Sequence, residues 1–177
     1  MPRSRVPLLA ALALCATLAA PSFAAWPRDP ATNVLVSSLS QSGSYSPDVL
    51  TDGEGGAFVA WQGLVGSYKT FVQHVTAGGG VAAGWPAGGL QAATGSTQQF
   101  PRLASDGAGG VFVAWREDSP DFGNIYLQRV TGSGAIAAGW PAAGVAVCTA
   151  TGVQDVVRIV AAGAGGVYVA WEDARSG

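Results

Sequence analysis

From Pro47 onward the chain alternates short apolar runs with clusters of glycine and small polar residues. The runs are apolar at odd and at even positions. In Ala57 to Gln62, AFVAWQ, Phe58 and Ala60 alternate with Val59 and Trp61. A strand with that pattern is covered on both faces. In the first unit Pro47 to Thr51 reads as a strand with the proline at its start, where a missing N–H does no harm. Asp52 to Gly56 reads as a turn, Ala57 to Gln62 as a strand, and Gly63 to Ser67 as a loop. Tyr68 to Thr76 reads as a third strand and Ala77 to Gly80 as a turn. Gly84 to Gly89 then leads into a short fourth strand at Leu90 to Ala93.

The same series returns. Pro101 to Ser105, Val111 to Arg116, Asn124 to Thr131 and Val145 to Cys148 match the four strands, and Gly139 to Gly144 matches the tryptophan turn. A third unit begins at Val157 to Ala161 and reaches Trp171. The turn-and-strand stretch occurs as DGEGGAFVAW, DGAGGVFVAW and AGAGGVYVAW, with tryptophans at 61, 115 and 171. Trp85 and Trp140 give the same period independently. In the turns, glycine supplies positive φ, and Asp52 and Asp106 are placed to accept backbone N–H groups. Ala60, Ala114 and Ala170 are small where a neighbouring sheet is expected to come close. Four strands in a repeat of about 55 residues fit one β-propeller blade; a sandwich needs about 100 residues, and glycine spacing excludes helical solenoids. The expected fold is therefore all-β, with roughly two and a half blades and an incomplete ring. The third unit stops halfway, so the chain reads as an N-terminal fragment of a longer repeat protein. The expected organisation is a signal peptide at 1–24, a lead-in at 25–46 with one strand at Asn33 to Ser38, and repeats at 47–100, 101–156 and 157–177.

Composition sharpens this picture. Glycine supplies 26 of 177 residues and charged residues only 11%. The 49% apolar share argues against disorder, and the absence of a strict every-third glycine excludes collagen. The net charge is −2, more negative once Arg3 and Arg5 leave with the leader, so nucleic acid is not an expected partner. Arg3 and Arg5 precede an apolar stretch from Pro7 to Ala20, and Ser22-Phe23-Ala24 offers small residues at a cleavage site after Ala24. The stretch is shorter than the about 20 residues of a membrane span, so no stable span is expected. Leu14 before Cys15 disfavours lipid attachment. Of the two cysteines Cys148 alone survives cleavage, and a buried, inert thiol is the simpler reading; a partner beyond this chain is the other.

Candidate chemistry is thin. Arg102 and Arg158 occupy one repeat position, and either face a central channel as an anion site or are solvated strand residues. Glu117, Asp118 and Asp121, with Glu172-Asp173 one repeat later, form acidic strand-exit loops that either hold calcium or are solvated or salt-bridged. A glycosidase acid–base pair is disfavoured because catalytic pairs do not recur with a repeat. His74 is the single histidine, so no multi-histidine metal site and no histidine-based triad can be assembled. Trp85 and Trp140 either stack on sugars or plug their own loops.

Together, DGAGGVFVAW, Glu117-Asp118, Ile125 to Val130 and Gly139 to Gly144 resemble the repeats of secreted bacterial proteins with propeller-type blades. The resemblance covers nearly all of Pro47 to Gly177 and is fullest in the second repeat. In the first, Val72 to Val75 replaces the Tyr/Gln/Arg core; in the third, Ala162 replaces the aspartate and Val157 the proline. The sialidase Asp-box does not match, since Trp61 lies nine residues after Asp52. The resemblance implies a fold more than an activity. The expected function is a non-enzymatic extracellular binding or scaffold module, secreted or in the cell envelope. Its expected partners are carbohydrate or protein at the cell surface, with self-association if the chain is truly this short. The alternative is a segment of an extracellular carbohydrate-active hydrolase or lyase whose catalytic residues lie elsewhere. No catalytic residue, cofactor or metal ligand is assigned.

Overall fold

A computed structural model of the chain describes residues 31, 33–118 and 123–175. The expected signal peptide at 1–24, the WPRDP stretch and Asp121 lie outside the described residues. The regular elements of the described residues are strands. β1 (Ser44–Thr51), β2 (Ala57–Val65), β3 (Ser67–Val75) and β4 (Leu90–Gln91) form an antiparallel sheet in chain order. β5 (Gln98–Ser105), β6 (Val111–Glu117), β7 (Asn124–Val130) and β8 (Val145–Cys148) form a second with the same order. β9 (Gln154–Gly163) and β10 (Gly166–Asp173) form a two-stranded third. No helix among the described residues is long and apolar enough to cross a membrane.

The sheets pack against one another in chain order, and the two-sided apolar pattern explains why. On β6, Val111, Val113 and Trp115 enter a core with Phe58, Ala60 and Val72 of the first sheet. The alternate residues Phe112 and Ala114 enter a second core with Val157 and, at its margin, Val167, Val169 and Trp171 of the third sheet. Trp115 is fully buried, and removing an aromatic of its size from water contributes about 4–6 kcal/mol before entropy is counted. Ala60 and Ala114 are also fully buried, as expected where sheets approach closely. Ala170 is exposed, as is Tyr168 beside it.

The first strands of the three sheets lie beside one another, β1 against β5 and β5 against β9. Each begins earlier than the sequence pattern predicts and carries a bulge. Residues 46–47, 100–101 and 156–157 interrupt the pairing at the level of Trp61, Trp115 and Trp171. At these bulges Ser46, Phe100 and Val156 have φ of 50°, 55° and 50°. A non-glycine residue there costs on the order of 1–3 kcal/mol, most for β-branched valine, so the surrounding contacts must hold it. Pro47 and Pro101 therefore mark a bulge rather than a strand start, the other place where a sheet tolerates proline.

Two further expectations are corrected. Gly63 to Ser67 is not a loop: β2 and β3 stay paired up to Val65 and Ser67, with Gly66 (φ 85°) making the turn alone. Asn33 to Ser38 is not a strand. It runs as irregular chain across the outer face of the first sheet, fastened by Ser38 N–H to Ala87 O (2.9 Å) and Ser37 Oγ–H to Gly88 O (2.8 Å). With Val59 and Trp61 it encloses a groove of about 430 Å³.

Candidate functional site

The recurring turn is an anchored device. Asp106 Oδ1 accepts the N–H groups of Ala108 and Gly110, both at 2.8 Å, while Oδ2 takes Arg129 Nε–H at 2.9 Å. Asp52 repeats this with Glu54 (2.7 Å), Gly56 (2.9 Å) and His74 Nε2 (2.9 Å). Burial, the largest influence, raises both carboxyls; the donated hydrogen bonds together with His74 or Arg129 outweigh it and hold both below the ordinary range. The two turn glycines have different reasons. Gly109 has φ 82°, whereas a Cβ on Gly110 would strike Val130 O. His74 stands where Arg129 stands one repeat later, stacked on Phe58 at 4.2 Å. Its contacts belong to this turn.

Glu117, Asp118 and Asp173 at the acidic strand exits are internally engaged, and Glu172 is exposed. Glu117 Oε2 accepts Trp115 Nε1–H (3.2 Å) and Oε1 accepts Ser96 N–H (3.0 Å), so this buried carboxylate fixes the connection between the first two sheets. Asp173 Oδ2 likewise accepts Trp171 Nε1–H (3.2 Å), from an exposed position beside Arg175. In the first sheet the matching position is Gly63, and Gln41 of the lead-in supplies the acceptor to Trp61 (3.2 Å). Asp118 is held by Arg116 at 2.6 and 3.0 Å, and Arg116 also reaches Asp155 (2.9 Å) across to the third sheet. Among the described residues no three or more histidine, cysteine or acidic side chains converge as a metal site would require. Trp85 is buried, donates to Gly132 O (2.9 Å) in the second sheet's hairpin, and sits where a Cβ on Gly134 would touch it. Trp140 is half-buried against Phe112, 5.9 Å between rings. Cys148 is a free thiol, half-buried at the edge of the second core rather than fully enclosed.

Arg102 and Arg158 are brought together. Both line one cavity of about 470 Å³ between the first strands, with Pro47, Asp48, Val49, Leu103 and Ile159. Asp48, Arg102 and Arg158 hold the same place in β1, β5 and β9, immediately after the bulge. A bulge re-aims the side chain that follows it. Arg102 Nη1–H donates to Pro101 O (2.7 Å) and Arg158 Nη1–H to Val157 O (2.9 Å), so each guanidinium is tethered by the bulge's own carbonyl. Asp48 Oδ2 accepts Leu103 N–H (2.7 Å) from the neighbouring sheet.

Sequence reasoning did not single out Asp48, the bulges, or the buried glutamines. Gln73 and Gln128 are fully buried and donate to the carbonyls of Pro86 (2.8 Å) and Pro141 (2.9 Å), tying each tryptophan turn to the third strand. Gln98 Oε1 takes Thr70 N–H (2.9 Å), joining the second sheet to the first. Their signal was available: a glutamine recurring one repeat apart inside an apolar run. Comparison of the chain with models of known families, with curated proteins and with solved structures found no match.

Proposed function

We propose that the chain is an exported binding or scaffold module whose stacked sheets are successive propeller-type blades, of the kind its repeat resembles in secreted bacterial proteins. One observation carries this reading: β1, β5 and β9 lie side by side and turn the same repeat position toward a shared cavity. A surface assembled from one position per repeat suits recognition, because it offers a row of similar groups and not a unique reacting pair. The other conspicuous polar groups, Asp52, Asp106, Glu117 and Asp118, are occupied in holding turns and sheet junctions. Residues 1–24 supply the export signal, and the partner is a carbohydrate or protein at the cell surface. The test is to incubate the purified chain with cell-envelope polysaccharides and measure retention and products together. Retention without new reducing ends or unsaturated sugars is expected. Product release that scales with enzyme amount would replace this reading with a hydrolase or lyase.

A further inference from the structure

We propose that the cavity between the first strands is a seat for a small organic carboxylate, gripped by Arg102 and Arg158. The inference rests on the proposed function only in taking this cavity as a recognition surface. The charge inventory points there first. The described residues contain six lysines and arginines. Arg116, Arg129 and Arg175 are paired with aspartates, and Lys69 donates to the carbonyls of Gly95 and Ser96. Arg102 and Arg158 make no ion pair within 4.0 Å among the described residues, and a single main-chain carbonyl occupies one donor of each. A guanidinium carries five N–H donors in a planar fork, so most of each fork stays available for an oxyanion.

The two unpaired cations face the same cavity although the chain as a whole is negative. Asp48 offsets one of them, leaving the pocket with an excess of one positive charge. The cavity also presents Pro47, Val49, Leu103 and Ile159. The surface of the cavity is predominantly polar, which suits a charged and hydroxylated ligand, and about 470 Å³ is more than a bare inorganic anion fills and falls within the range of small-molecule sites. The bulge before each arginine, held at φ 55° and 50°, keeps the guanidinium tethered in place before any ligand arrives, which lowers the entropy cost of binding.

The full chain, labelled with nitrogen-15 at arginine, is titrated with D-glucuronate, glucose and inorganic phosphate at constant ionic strength. The Nε–Hε signals of Arg102 and Arg158 are expected to move together and saturably with glucuronate. Arg175, which is exposed and ion-paired, serves as the internal control. Glucose should move neither signal, and phosphate should bind more weakly than glucuronate. R102Q and R158Q should each lose about tenfold in affinity, as expected for losing a charge-assisted contact. D48N keeps an acceptor for Leu103 N–H while removing the opposing charge, and should gain about threefold. Linear, unsaturable shifts equal to those of Arg175 would overturn the proposal, as would phosphate binding as tightly as glucuronate. The R102Q/R158Q double variant separates the two readings. If it still responds to glucuronate with wild-type affinity at other signals while polysaccharide retention is unchanged, the carboxylate seat is wrong and the module reading stands.

Discussion

Replacing Asp106 with alanine tests whether the recurring aspartate acts through the backbone of its turn. The substitution strands two N–H groups, of which that of Gly110 is buried. Bonds from backbone donors to a charged acceptor contribute about 1.5 kcal/mol each at the low end, giving about 3 kcal/mol for Ala108 and Gly110 together. The Arg129 partner is one-third exposed (33%), so its ion pair adds less than about 1 kcal/mol. Asp106→Asn keeps an oxygen for the two N–H groups and loses the charge, and should therefore cost only about 1 kcal/mol. Urea unfolding at neutral pH, followed by tryptophan fluorescence, measures both. The linkage sign adds a second readout. The carboxyl is held below its ordinary value of 3.8, so its contribution is complete above that value and is lost as pH falls through the lower folded value. The gap between wild type and Asp106→Ala should be constant down to about pH 5 and narrow below about pH 4. Equal costs for Asn and Ala would refute the argument, since the ion pair and not the turn would then dominate.

Three other substitutions test packing within the second sheet. Gly144 and Gly139 both have φ 82°, but a Cβ on Gly144 would lie 2.5 Å from Trp115 Cη2 while Gly139 faces open space. Alanine should cost about 1 kcal/mol at Gly139 and more than about 2 at Gly144, with a shift in tryptophan emission only for the latter. Gln128→Leu fills the same volume but leaves Pro141 O without its donor; a loss of about 2 kcal/mol in thermal or urea unfolding is expected, and a neutral outcome would mean that water replaces the amide.

What the chain determined by itself is the repeating, two-faced β pattern. Period, glycine placement and the double-sided apolar runs lead to strands covered on both faces, and Trp115, Ala60 and Ala114 are buried as that pattern requires. The turn role of Asp52 and Asp106 was legible too, because an aspartate before a glycine cluster bonds locally. What only the tertiary structure decided depends on contacts between residues far apart in sequence. The bulges at Ser46 and Phe100 leave only an ambiguous local signal, a following proline that fits a strand start equally well, and Val156 leaves none; the strain at these non-glycine residues is sustained by neighbouring sheets. Gln41 serves Trp61 from the lead-in because Gly63 carries no side chain, a substitution of partner that no spacing rule encodes. The same holds for the cavity. Arg102 and Arg158 are 56 residues apart in the chain, and only stacking of the sheets sets both guanidinium groups against one space.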